Sequence, residues 1–410
     1  MFLEQVYIYS KIIRTIMKKE IVIVGSGLVG VLSALAVLRS GSKVTLIDKN
    51  FYKSCRDNGI SIALSHATIH LLEDLGLWLH IKHEVNYIEH VNVSEKGSYS
   101  QTNFFALDEG PDFLGAVIRS NILLSLLKNI LKNRIEIIAN KDIIGIQEHV
   151  CDYSLQLKYI DSIKTISAKL IIAADGAFSQ IRSLIDIKHQ LHDYNQKALV
   201  FDVSLKDHHN NCAYERFIDN KMMIAMLPVA AKKMTCIWTI DNSVNWTLLL
   251  KNNKDTLLAL NNMFSYRIGN FDKITTKINC FPLISIDVRE LYKKNVLLFG
   301  SAAHVVHPTL GQGLNLSIQD IHMLYRLLQS FNINSLSSCS LLLEKYASFR
   351  RKEHKKIANL THNIINIFMS KHYQIKYMRR LGLFLLERNT FLKNMFMRST
   401  NNKFYSSMSR

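Results

Sequence analysis

Six cysteines in 410 residues, none of them in a Cys-x-x-Cys pair, give no framework for a zinc site or a redox dithiol. Cys55, Cys151, Cys212, Cys236, Cys280 and Cys339 read instead as buried free thiols of a reducing compartment. Long apolar runs are equally scarce. Residues 21–38 alone are uncharged for long enough to raise the question of a membrane span. Three glycines and two serines interrupt that stretch, and its first half is a β-branched run suited to a buried parallel strand, so a span is rejected. Residues 1–16 carry Glu4, Lys11 and Arg14 and lack both a long apolar core and a small-residue cleavage site, so they make a poor secretory signal; they read as an extension outside the fold, which is expected to start at Met17. No internal repeat, low-complexity linker, zinc finger, helix-turn-helix or RNA-recognition signature occurs, so nucleic acid is not an expected partner.

Acidic residues are also few, 33 against 51 Lys and Arg, for a net charge of +18. Fifteen of the basic residues and only three glutamates lie in 341–410. A basic tail of this kind fits either a merely solvated face or a surface for anionic lipid headgroups or acidic proteins. With 48% hydrophobic and 20% charged residues the chain has the composition of a folded protein, and its length asks for two or three domains sharing an interface.

Strand-like Glu20–Val24, helix-like Leu28–Ser40 and strand-like Lys43–Asp48 make a βαβ unit. Between its first strand and helix lies Gly25-Ser-Gly27-Leu-Val-Gly30, a dinucleotide fingerprint in the context that gives it meaning. Gly25 permits the tight turn, Gly27 lets backbone N–H groups approach a pyrophosphate, and Gly30 lets helix pack on strand. Asp48 closes the second strand and suits an adenosine ribose. These features alone leave FAD and NAD both open.

Two later segments bear on that choice. Ala174-Asp175-Gly176-Ala-Phe-Ser179-x-x-Arg182 resembles the Asp-Gly fingerprint of aromatic flavoprotein hydroxylases. The segment from Gly300-Ser301 through His304 to Pro308-Thr-Leu-Gly311-Gln312-Gly313-Leu-Asn315, with Asp320 beyond it, resembles their third fingerprint. Within that class the chain resembles the FAD-dependent ubiquinone-biosynthesis hydroxylases over nearly its whole length, including Ala213-Tyr-Glu-Arg-Phe217, Leu227-Pro228, Phe281-Pro-Leu283 and His307-Pro308.

The resemblance implies an α/β fold: a discontinuous Rossmann-like FAD-binding domain with an inserted, mostly antiparallel β-sheet substrate domain and a C-terminal helical segment. The expected division is 17–190 plus 285–330 for FAD, with 66–110 contributing to the substrate side, then 191–284 for substrate and 331–410 for basic helices. It implies FAD held by Gly25, Gly27, Gly30, Asp48, Arg119, Asp175, Gly176, Ser301, Pro308, Gly311, Gln312, Gly313 and Asn315, with NAD(P)H as a transient electron donor. No amino-acid acid or base is named as catalytic. The implied activity is hydroxylation of a polyprenylated phenol by molecular oxygen through a flavin hydroperoxide, by a cytoplasmic protein peripheral on the inner membrane, alongside other ubiquinone-biosynthesis proteins. The alternatives are an FAD hydroxylase of a small soluble aromatic and a weakly active or non-catalytic scaffold.

Departures from the pattern carry their own expectations. Ser301 stands where the family usually has an aspartate on the ribityl hydroxyls, implying weaker flavin retention. Ile60 occupies a place where an arginine is common, with Arg56 nearby. Arg119 matches an arginine that approaches FAD, or is an ordinary surface arginine. His304 and His307 are spaced i, i+3 with no carboxylate or cysteine set to complete a metal site, and read as loop residues packed around the flavin. His208 and His209 are expected in an exposed polar loop, and Met222, Met223 and Met226 in a core or an apolar pocket.

Overall fold

The computed structural model describes residues 16–53, 59–106, 112–219, 221–245, 252–264, 267–331, 333 and 335–400. Its strands are β1 (Ile16–Val24), β2 (Val44–Asp48), β3 (Ser61–Ser65), β4 (Asn86–Ile88), β5 (His90–Glu95), β6 (Gln101–Phe105), β7 (Gly115–Arg119), β8 (Glu136–Ala139), β9 (Asp142–Glu148), β10 (Tyr153–Lys158), β11 (Ile163–Ala173), β12 (His189–Leu205), β13 (Cys212–Asp219), β14 (Met222–Ala230), β15 (Lys233–Asp241), β16 (Phe271–Ile274), β17 (Asn279–Val288), β18 (Tyr292–Lys293), β19 (Val296–Leu298) and β20 (His304–Val305). The helices are α1 (Leu28–Arg39), α2 (His66–Asp74), α3 (Trp78–Ile81), α4 (Ser120–Leu131), α5 (Gln180–Leu184), α6 (Asn253–Phe264), α7 (Gln312–Ser330), α8 (Leu336–Phe368), α9 (Tyr373–Arg388) and α10 (Thr390–Thr400), with 3-10 turns at Gly300–Ala302 and Thr309–Gly311.

The C-terminal parts of β1 (21–24) and β11 (170–173), with β2 and β19, are mostly Val, Ile, Leu and Ala buried on both faces, and that composition selects a parallel sheet covered by helices. The order β18-β19-β11-β1-β2-β8 puts β1 at the centre, parallel to β11 and β2, which in turn lie parallel to β19 and β8. Helix α1 packs against both α7 and α4. The expected start of this sheet needs correcting: β1 begins at Ile16, in register with Thr165, because β11 runs back far enough to pair with it. The β9–β10 hairpin, antiparallel on β11, was not foreseen.

The second sheet has nine strands in the order β20-β17-β12-β15-β14-β13-β5-β6, with β16 beside β12. All its pairs are antiparallel except β5 with β13. Period-two alternation sorts its faces. Leu199, Phe201, Val203 and Trp238 pack with Leu260 and Phe264 of α6, whereas Ala198, Val200 and Leu283 form a separate cluster on the other side. A three-stranded sheet, β3-β7-β4, joins the two larger ones, with the Ser61 and Thr235 hydroxyls 2.7 Å apart across the junction.

Helix α8 packs on α7, and α9 lies on β6 at the edge of the large sheet. Among the described residues no helix is long and apolar enough to cross a membrane.

Candidate functional site

The C-terminal ends of β1, β11, β2 and β19 are level, with Val24 opposite both Ala173 and Ile47, and Ala173 opposite Leu298. The three fingerprints leave the sheet from these ends and converge, although they lie far apart in the chain. A Cβ on Gly25, whose φ is +105°, would sit 2.3 Å from the Ala174 carbonyl oxygen, and one on Gly30 would sit 2.0 Å from the Gly25 carbonyl oxygen. Glycine at both positions is required by the protein's own packing. The third segment closes on the first: a Cβ on Gly300 would meet Val29 Cγ1 at 2.8 Å.

Gly27 and Gly176 differ from these. Nothing lies within 4 Å of a Cβ at either one; a left-handed φ of +94° calls for glycine at 176, whereas neither a close protein atom nor its φ of −68° accounts for glycine at 27. Both line a cavity of about 400 Å³ together with Asp48, Asn50, Lys141 and Asp175. Gly27 caps α1 without a side-chain bond, leaving the first N–H groups of that helix for an anion. Asp48 is held in place by the N–H groups of Ser26 and Asn50, each at 2.6 Å from a carboxylate oxygen. Asp175 accepts from Ile181 N at 3.0 Å through one oxygen, while its other oxygen is buried without a protein partner. An orphaned acceptor and the unfilled Gly27 beside a helix N-terminus suit the hydroxyl-bearing, pyrophosphate-linked half of FAD.

Arg182 welds the second segment to the third. Its guanidinium donates to the carbonyls of Ala302 at 2.9 Å and Ala177 at 2.8 Å, and Ser179 caps the helix that carries it. Burial pulls the Arg182 pKa below its ordinary value, with Asp175 opposing the shift.

At the other end, Pro308 accepts from Gly311 N at 2.9 Å, and Gly311 adopts a left-handed φ of +61° as the N-cap of α7, with no side-chain cap. The first N–H groups of α7 therefore face outward beside Gln312 and Gly313. The Asn315 carboxamide is fully used by the protein: it donates to the carbonyls of Ala63 and Gly311 and accepts from Ser65 N and the Thr68 hydroxyl. Its side chain fixes the loop to β3 and α2, so any contact it makes with a cofactor is through backbone. Ser301 is exposed on its 3-10 turn.

Arg119 is not an ordinary surface arginine. Its guanidinium pairs with the buried Asp202 of β12 and donates to the Gly59 carbonyl at 3.1 Å, joining the small sheet to the large one. Thr235 donates to the other Asp202 oxygen at 2.6 Å. Arg56 lies outside the described residues, and Ile60 is exposed.

The histidine readings need correction. A carboxylate does complete a cluster at His304, since His304, Asp320 and His354 are all buried and offer ligand atoms within 4.8 Å of one another. His304 Nε2 and His354 Nε2 each lie 2.8 Å from an Asp320 oxygen. The place a cation would take is filled by Arg350, whose buried guanidinium pairs with the same carboxylate and, with His354, holds Asp320 well below the usual carboxylate range. His209 is buried against the Ala230 carbonyl, not exposed; only His208 is. Cys151 and Cys280 are exposed, contrary to the reading of all thiols as buried, and Cys55 lies outside the described residues.

His307 is the polar residue that sequence reasoning undervalued. Its Nδ1 accepts from Thr309 N at 3.2 Å, which places the ring proton on Nε2, 3.0 Å from Gln196 Oε1 on β12. Burial lowers its pKa to about 4, so the ring is neutral near pH 7. It couples the third fingerprint to the nine-stranded sheet, which the His-Pro dipeptide alone did not reveal.

Comparison with known proteins agrees with this arrangement. The family described as FAD binding domain matches residues 18–361. A ubiquinone hydroxylase, UbiM, of Neisseria meningitidis is 26% identical over 388 residues, covering 91% of this chain and 82% of its own. The 3-demethoxyubiquinol 3-hydroxylase of Escherichia coli is 26% identical over 386 residues, covering 91% and 96%. Among solved structures, p-nitrophenol 4-monooxygenase PnpA of Pseudomonas putida superposes with a TM-score of 0.75 at 16% identity, covering 95% of this chain and 99% of that one, a likeness of fold. The protein binds FAD, is an FAD-dependent monooxygenase, and belongs to the FAD-binding family that contains the ubiquinone-biosynthesis hydroxylases.

Proposed function

We propose that the chain hydroxylates the ring of a polyprenylated phenol of the 2-polyprenyl-6-methoxyphenol type, in ubiquinone biosynthesis, with NAD(P)H as a transient electron donor. The observation that carries this reading is the set of relatives that cover nearly the whole chain and act as ubiquinone hydroxylases, joined to a site in which three fingerprints meet beside an apolar sheet face.

FAD, when bound, supplies the activation of oxygen. The residues here would hold it in parts: Gly25 to Gly30 and Asp48 at the adenosine pyrophosphate, Asp175 and Gly176 beside it, and Gly300 to Gly313 at the flavin. The N-terminus of α7 offers N–H groups and a positive dipole end to negative charge on the ring system. Ala198, Val200 and Ile237 of the large sheet exclude water on the substrate side. Neutral His307 keeps its proton on Nε2 and orients the loop through Gln196, without offering a charge of its own. A lipid-tailed phenol places the protein on the cytoplasmic surface of the inner membrane. Ser301 favours a second reading, a weakly active flavoprotein scaffold of the same biosynthetic assembly.

The test is to purify the protein, record its flavin spectrum, and follow NAD(P)H and oxygen consumption with prenylated and unprenylated phenols. Consumption coupled to a hydroxylated prenylated product supports the reading. Equal turnover of phenols without a prenyl tail would overturn it, and tight flavin with no turnover would select the scaffold.

A further inference from the structure

Helix α9 is turned inside out. The side it presses on the protein carries charge: Arg379 and Arg380 both pair with the buried Glu95 of β5, and Glu387 accepts from Asn103 N at 2.8 Å on β6. The Thr102 hydroxyl donates to the Leu383 carbonyl at 2.9 Å. The opposite side is apolar and open to solvent. Tyr373, Tyr377, Met378, Leu381, Phe384 and Leu385 are all exposed, Tyr373 at 82% and Met378 at 71%. At 3.6 residues per turn these six fall within one arc of the helix, with Arg379, Leu383 and Glu387 on the other side. Helix α10 repeats the arrangement: Phe396 stacks inward on Phe104 with ring centroids 5.8 Å apart, while Phe391 and Met395 are exposed at 73% and 57%.

Charge says what the face fits. Residues 371–400 hold seven Lys and Arg and a single acid, Glu387, which is occupied by Asn103 and Lys393. Arg388 lies over the Phe384 ring, 4.8 Å from its centroid, and Lys371 and Lys376 are exposed. An apolar stripe roughly 18 Å long, accompanied by cations and without exposed acid, matches the boundary of an anionic bilayer, where rings and aliphatic chains enter and cations remain with the headgroups.

We propose that the outer face of α9 and α10 is a docking surface for anionic phospholipid bilayers. The proposal deepens the reading of a lipid-tailed substrate and rests on it for its purpose, while its test does not depend on turnover. The full FAD-loaded protein is floated with vesicles of phosphatidylcholine, with and without phosphatidylglycerol. Binding about tenfold stronger to the phosphatidylglycerol vesicles is expected, falling as salt rises. Leu381→Ser with Leu385→Ser should abolish flotation, and Lys376→Glu with Arg388→Glu should remove the preference for phosphatidylglycerol. Leu258→Ser, at an exposed apolar position on α6, should change neither. Retained flavin absorbance reports that each variant has folded.

Flotation unchanged in the α9 variants would overturn the proposal. So would a shift from dimer to monomer in sedimentation with flotation unchanged, which would make a second copy of this chain the occupant. Failure of the parent protein to float, while it hydroxylates prenylated phenols, would overturn this surface and leave the function standing. Flotation by a protein that turns over only unprenylated phenols would do the reverse.

Discussion

Helices α8 and α9 are both tied to the body by buried Arg–carboxylate pairs, yet the two ties belong to different parts of the protein's stability. Arg350 of α8 reaches Asp320 of α7, inside a helix face that also buries Leu342, Leu343 and Tyr346. Arg379 of α9 reaches Glu95 on β5, one strand in from the sheet edge, and donates to the Ile367 and Phe368 carbonyls at the end of α8; Glu95 keeps a second partner in Arg380, and Leu383 is the one large apolar side chain of α9 that is buried. The first pair is sealed in the core behind the third fingerprint, and the second fastens an accessory element from outside. An ion pair stabilises by its surroundings, because the cost of breaking it is the cost of leaving a charge in whatever medium remains.

Acid should separate the two ties most strongly. Burial lowers the pKa of His354 to about 4, and those of His307 and His322 likewise to about 4. In the unfolded chain a histidine ionises near about 6.5, so below that pH the unfolded state takes up protons that the fold refuses. Stability is therefore complete above about 6.5 and falls as pH drops toward 4, while depressed Asp320 keeps its charge throughout that window. The α9 tie contains no histidine. Thermal unfolding across this range should show Tm falling with acidity, and His354→Gln should flatten the slope; an unchanged slope would mean that the α7–α8 cluster does not carry it.

Next in size is the direct exchange of the two arginines. Arg350→Met strands Asp320 in the core and should cost about 3–5 kcal/mol of global stability together with flavin retention. Arg379→Met should leave Tm within a few degrees and instead expose α9 to proteolysis and faster amide exchange. Equal losses of Tm would erase the distinction between core and accessory.

The difference between these helices was not readable from the sequence, although the FAD fold was. The fingerprints declare themselves because each carries a glycine with a left-handed φ just after a strand, at 25, 176 and 300, a backbone requirement that is local even where the glycine also meets a distant segment. What lies outside them is decided by partners distant in the chain. Asp320 meets His304 and His354 from residues 16 and 34 positions away, Arg119 meets Asp202 across 83 positions, and His209 finds its carbonyl at Ala230. Periodicity marks α9 as amphipathic but carries no sign to say which face turns inward, and the usual assumption that the apolar face does is the wrong one here. Ile16 joins β1 only because β11 is long enough to receive it.

The first fingerprint contains the same division between inward and outward duty on a smaller scale. Gly30→Ala would press a methyl group to 2.0 Å from the Gly25 carbonyl oxygen and should destabilise the apoprotein by about 3 kcal/mol, measured by denaturant unfolding. Gly27→Ala meets no protein atom within 4 Å, so the apoprotein should unfold as the parent does. Its FAD affinity should nonetheless fall at least about tenfold, because the methyl group takes the space beside the α1 N-terminus. If Gly27→Ala lowers apoprotein stability and spares FAD, that glycine serves packing and the cavity beside it is not the pyrophosphate site.

The smallest effect is expected at Ser301. The residue is exposed on a 3-10 turn whose preceding glycine, at φ +56°, packs against Val29 of α1, so the backbone here is held by the protein and the side chain is free to change. A hydroxyl offers one donor and neutral acceptors to a ribityl hydroxyl, whereas a carboxylate offers charged ones. Ser301→Asp should therefore tighten FAD by about fivefold with no change in apoprotein Tm, since exchanging a neutral for a charge-assisted bond at an exposed site contributes on the order of 1 kcal/mol. Fluorescence quenching of FAD titrated with apoprotein measures it. A gain in affinity would mean that this chain holds its flavin loosely through one residue, while no gain would move the origin of any weak retention to the segments that carry Gly27 and Asp175.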